Sequence, residues 1–97
     1  MLFHITGTHE PTNCSAHDPE RQAAFQKVMQ TAESYGITLK GVYTDAPAHT
    51  VYILAETNDA LAISKLIDPV LAYNHYEIRP VVEAGTLMES LRETVDR

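Results

Sequence analysis

The segment His9-Glu-Pro-Thr-Asn-Cys14-Ser-Ala-His17 holds the only cysteine of the chain and two of its five histidines. Thiolate sulfur and imidazole nitrogen are the donors that hold zinc and copper, and a Cys-x2-His pair can reach one ion without straining the backbone. His4 lies just upstream, so four such donors fall within the first seventeen residues. The pattern points to a transition-metal site, zinc or copper, with His9, Cys14 and His17 as ligands and His4 as a fourth. Such a site needs a deprotonated thiolate and neutral imidazoles converging at about 2.0–2.3 Å from the ion. The same residues also fit two other readings. One is a polar surface loop with solvated histidines and a thiol tucked inward. The other is a cysteine nucleophile with His17 or His9 as its base, although no local signature of a cysteine enzyme surrounds it.

A second set of candidates lies on strands. Glu77 and Arg79 have the same parity two residues apart, and could serve as a general base and an anion-binding fork. Tyr52 could donate a phenolic hydrogen bond and His4 could join them. The plainer roles are a salt bridge and packed core. His49 and His75, at the starts of strands, read as surface or edge histidines. No glycine-rich phosphate loop, HExxH, GxSxG or dinucleotide fingerprint occurs, so a nucleotide cofactor has no support.

The elements that position these residues follow from periodicity. Leu2 to Thr8 alternates Phe3 and Ile5 with His4 and Thr6, as a strand does. The His/Cys segment, with Pro11, Asn13 and Ser15, reads as a loop. Asp18-Pro19-Glu20 starts a helix: an N-cap, a proline suited to the first helical position and an acid at the positive helix end. Phe25, Val28, Met29 and Ala32 recur at helical spacing, and Tyr35-Gly36 ends the helix. Ile37 to Thr44 and His49 to Ala55 read as strands joined by a turn at Asp45-Ala-Pro47-Ala. Thr57 is the expected cap of a second helix with Ile63, Leu66, Ile67 and Val70 on one face, disturbed at Asp68-Pro69. A fourth strand spans about Tyr76 to Val82. Thr86-Leu-Met-Glu89 has the form of a capping box for a C-terminal helix carrying Leu87, Leu91 and Val95.

The order β-α-β-β-α-β plus one helix predicts a single α+β domain over residues 1–97. Its architecture is ferredoxin-like, a four-stranded antiparallel sheet with two helices on one face. Phe3, Ile5, Val51, Ile53 and Ile78 then face the helices. Leu2, His4, Thr6, Tyr52, Leu54, Glu77 and Arg79 face the other way, on a surface too apolar to be left wet and suited to a second subunit.

Composition narrows the partners. A hydrophobic share of 44% and a charged share of 21% are those of an ordinary soluble domain. A net charge of −6 with scattered Lys and Arg argues against nucleic acid and against an anionic membrane surface. The N-terminal sequence lacks a signal peptide's basic and apolar regions. One cysteine forms no internal disulfide, which fits a reducing cytoplasm.

Met1-Leu-Phe-His-Ile, Thr50-Val-Tyr-Ile-Leu-Ala-Glu-Thr-Asn-Asp-Ala-Leu and Tyr76-Glu-Ile-Arg-Pro-Val carry a resemblance across nearly the whole chain. The chain resembles the dimeric α/β-barrel superfamily, which includes antibiotic-biosynthesis monooxygenase-like proteins, muconolactone isomerases and stress-responsive barrel proteins. The resemblance implies a homodimer whose two sheets face one another, with pockets in the barrel or between sheet and helices. The absence of tryptophan sets it apart from the haem-degrading branch. Three functions fit: a dimeric metal-binding protein, a cofactor-independent monooxygenase or isomerase acting on a small organic molecule, and a structural or regulatory dimer.

Overall fold

A computed structural model describes residues 1–95. The strands are β1 (Leu2–Thr8), β2 (Thr38–Asp45), β3 (Thr50–Glu56) and β4 (His75–Val81), and the helices α1 (Pro19–Thr31), α2 (Ala60–Ile67) and α3 (Ala84–Val95). One four-stranded sheet has the order β2-β3-β1-β4, and every pairing is antiparallel. This is the ferredoxin-like fold that the element order predicts. No helix among the described residues is long and apolar enough to cross a membrane.

Strand alternation decides which residues reach the core. Phe3, Ile5, Ile53 and Ala55 are buried on the helix-covered face, against Val28 and Ala32 and against Ile63, Leu66, Ile67 and Val70. Removing an aliphatic side chain of this kind from water contributes about 1.5–3 kcal/mol, so this cluster carries most of the apolar stabilisation. Ile78 pairs with Ile5 and shares its side of the sheet. Because it sits on an edge strand, it remains 37% exposed.

Helix caps account for two differences from the sequence reading. Asp18 caps α1, accepting hydrogen bonds from the amides of Glu20 and Arg21 at 3.0 and 3.3 Å. Thr57, in contrast, does not cap α2. Its amide donates to the Met1 carbonyl and so prolongs the β1–β3 edge. The helix begins only after Asp59, whose carboxylate accepts from the Leu61 amide at 3.0 Å. At α3 the expected cap Thr86 lies inside the first turn, because Glu83 already accepts from its amide at 2.8 Å. The Gly85 and Thr86 amides hold the Glu83 carboxyl below the usual carboxylate range.

The third helix adds nothing to the core. All its described side chains are exposed, including Leu87, Met88, Leu91 and Val95, which form its apolar side. The radius of gyration is 15.9 Å, against about 12.5 Å for a globule of this length. The molecule measures 56 Å along its longest axis.

Candidate metal centre and adjoining pocket

Three separate segments build the centre. His9 follows the last residue of β1 and continues the ladder: its amide donates to the His49 carbonyl at 3.2 Å, one step beyond the Thr8–Thr50 pair. The two imidazoles therefore come from adjacent antiparallel strands. His49 closes the β2–β3 turn with a left-handed backbone, φ 51°, a conformation that glycine or asparagine adopts more readily. The Asp45 carboxylate and carbonyl both accept from the Ala48 amide and fix the turn. Cys14 arrives on a short 3-10 turn, Pro11–Asn13, closed by its own amide donating to the Pro11 carbonyl.

The donor atoms of His9, Cys14 and His49 all lie within 4.8 Å of one another, and the three residues are half-buried. His9 Nε2 and His49 Nδ1 are 3.3 Å apart, with the rings edge to face. Two nitrogens bound tetrahedrally at 2.0–2.1 Å are separated by about 3.3–3.4 Å, so this spacing suits a common ion. Without an ion, one imidazole N–H can donate to the other ring.

Of the four ligands proposed from sequence, His9 and Cys14 come together; His17 and His4 do not join them. His17 ends a second 3-10 turn, Ser15–His17, and is exposed. His4 belongs to the opposite face of the sheet, since it differs in parity from the residues of β1 that point to the helices. Its Nδ1 lies 3.5 Å from Thr6 Oγ1. His49 is the residue that sequence reasoning misses, as it stands 40 positions from His9. The available signal is register: pairing the end of the first strand with the start of the third sets these histidines side by side.

A cavity of about 210 Å³ opens beside the centre, with Phe25, Val51, Val70, Tyr73 and Tyr76 among its walls. The Arg21 guanidinium lies over the Tyr73 ring at 4.9 Å and is tied to Asp18 at 3.3 Å. The Tyr76 hydroxyl accepts from Asn74 at 3.1 Å, which leaves its own proton free to donate. Burial, partly opposed by the Asn74 hydrogen bond, pushes this phenol up from 10.0 to about 12. A raised phenol pKa means that the folded state holds the proton more tightly. The associated stability is complete below the unfolded value and is lost as pH rises through the folded one. Ultraviolet titration of the folded protein should therefore show a late phenolate step near pH 12 that Tyr76→Phe removes. Loss of a step near the ordinary value of 10.0 instead would place that hydroxyl in ordinary solvent.

The other candidates share the helix-free face. His4 lies opposite Leu54 and Arg79, and Thr6 opposite Tyr52 and Glu77. The His4 and Tyr52 ring centroids are 6.1 Å apart. Arg79 and Glu77 form a 3.4 Å ion pair whose side chains are 72% and 55% exposed, so in one chain it is a solvated surface pair.

No curated protein matches the sequence. Solved structures share its fold. SCO4226 from Streptomyces coelicolor A3(2) is 15% identical with a TM-score of 0.59, covering 84% of this chain and 98% of that one. Muconolactone isomerase is 20% identical with a TM-score of 0.60, covering 86% and 90%. An uncharacterized NIPSNAP domain protein from Burkholderia xenovorans is 18% identical with a TM-score of 0.56, covering 87% and 95%. These likenesses show a shared ferredoxin-like α/β fold and do not fix chemistry. Residues 1–95 match one family throughout, and the chain belongs to it: the domain of unknown function DUF3303.

Proposed function

We propose that this protein binds a transition-metal ion, zinc or copper, through His9, Cys14 and His49. The observation that carries this reading is the convergence of one thiol and two imidazoles within 4.8 Å, with His49 brought to the N-terminal segment from 40 positions beyond His9. Both donor types suit these ions, and three protein ligands leave one tetrahedral position open, as in sites that engage a further ligand. His17, close in sequence but exposed, is left outside the ligand set.

Elemental analysis of protein purified without an affinity tag should find one equivalent of metal per chain after loading with zinc. His49→Ala should lose that equivalent and His17→Ala should keep it. Equal retention in both variants would dismiss the centre as assigned.

The helix-free face supports a second feature, a homodimer that closes the two sheets into a barrel. Tyr43 and Tyr52 are exposed on it, with Leu2 and Leu54 half-covered. Within such a barrel His4, Tyr52, Glu77 and Arg79 would be shielded from water, and this is where an isomerase or cofactor-independent monooxygenase would act on a small organic molecule. The metal reading is preferred because its groups already converge in one chain. A reduced free thiol fits a cytoplasmic setting.

A further inference from the structure

We propose that the cavity beside the centre binds a small aromatic carboxylate, its carboxylate on the open position of the ion and its ring between the apolar walls. This rests on the metal site proposed above. Three observations select the ligand class.

The first is size. An apolar cavity of about 150 Å³ is enough to hold benzene, and this one measures about 210 Å³. The difference leaves room for one small polar substituent.

The second is the character of the walls. Phe25, Val51, Val70 and Tyr73 line the cavity, and Phe25, Val51 and Val70 belong to or pack against the hydrophobic core. Rigid walls of this kind favour a flat ring over a flexible chain, since less conformational entropy is lost on binding.

The third is charge and donor balance. A divalent ion held by one thiolate and two neutral imidazoles retains a net charge of about +1, which a monoanion neutralises. The Tyr76 hydroxyl has its proton free, because its oxygen already accepts from Asn74. The Arg21 charge is matched by Asp18, so it adds a wall and not a second anchor. Asp45, the acid on the rim, is exposed and accepts from the Ala48 amide within its turn. The cavity thus offers one strong place for an anionic oxygen, with the Tyr76 hydroxyl as a donor set among apolar walls and the Thr50 hydroxyl spent on the Ala48 carbonyl.

The test separates the ion from the ligand. Zinc stoichiometry is measured first by elemental analysis. Benzoate and acetate are then titrated calorimetrically into the zinc-loaded and the metal-free wild-type protein. Benzoate should bind the loaded protein at least about tenfold more tightly than acetate does, and at least about tenfold more tightly than it binds the metal-free protein. Nuclear Overhauser contacts should connect the benzoate ring protons with the Phe25 ring. One equivalent of zinc with no preference for benzoate would overturn this proposal and leave the ion site standing. So would tight benzoate binding without the Phe25 contacts, or with equal strength in metal-free protein. Failure to retain zinc would overturn this proposal, and failure to retain copper as well would overturn the ion site with it.

Discussion

Cys14→Ser should weaken zinc binding by more than about a hundredfold. Replacing groups that only orient metal ligands typically costs about 10- to 100-fold in affinity, and loss of a ligand atom should exceed that. A serine hydroxyl is a harder donor and stays protonated at neutral pH, so it replaces neither the charge nor the softness of a thiolate. The copper(I) affinity should fall further than the zinc affinity, because copper(I) depends more on soft donors. Acid should release the ion from the wild type, since protons compete for the same imidazole and thiolate lone pairs. Competition titrations under reducing conditions, with wild type, Cys14→Ser and His17→Ala in parallel, read these effects directly. Equal affinity in wild type and Cys14→Ser would reduce Cys14 to a loop thiol.

The second large effect concerns assembly. Light scattering at micromolar concentration should give twice the 10.8 kDa chain mass, and Leu54→Glu should return the protein to a monomer. Leu54 lies in the middle of β3, opposite His4 of β1 and Gly41 of β2, at the centre of the uncovered face. A carboxylate there would be desolvated in a sheet-to-sheet interface without a partner, which commonly costs several kcal/mol. In a monomer the same substitution would sit on a surface and change little. Stable interfaces remove about 800 Å² from each partner, and the tyrosines and aliphatic residues of this face provide a suitable apolar centre. The unpacked apolar side of α3, with Leu87, Met88, Leu91 and Val95 exposed, offers a further contact for the second copy. A stable wild-type monomer would sink the assembly.

The fold is legible in the sequence because each element carries its own signal. Alternation of Phe3 and Ile5 with His4 and Thr6 assigns both the strand and its faces, and Asp18-Pro19 marks the helix start. The positions of Thr57 and Thr86 are less legible. Either hydroxyl can cap a helix, but Thr57 Oγ1 accepts from the Asp59 amide ahead of α2, and Thr86 lies within the first turn of α3 with its amide taken by Glu83. The candidate centre is half legible for a similar reason. Sequence density draws attention to His9, Cys14 and His17, but the proximity of His9 and His49 follows from strand register. His17 is carried off by a turn that no simple periodicity predicts. The cavity is not legible, since Phe25, Val51, Tyr73 and Tyr76 meet only once α1, β3 and β4 have docked.

The left-handed backbone of His49 bears on the history of the family as well as on its geometry. A histidine in this conformation is held against its own preference, at a cost on the order of 1–3 kcal/mol relative to an unstrained arrangement. Neutral drift under pressure for folding alone should replace it with glycine or asparagine at the turn. Persistence of histidine there among members would mark selection for the imidazole. Lineages that have relaxed to glycine should also have been freed to lose the thiol at position 14. If the proposed ion site is under selection, the two positions should therefore be inherited as a pair, although the residues between them diverge.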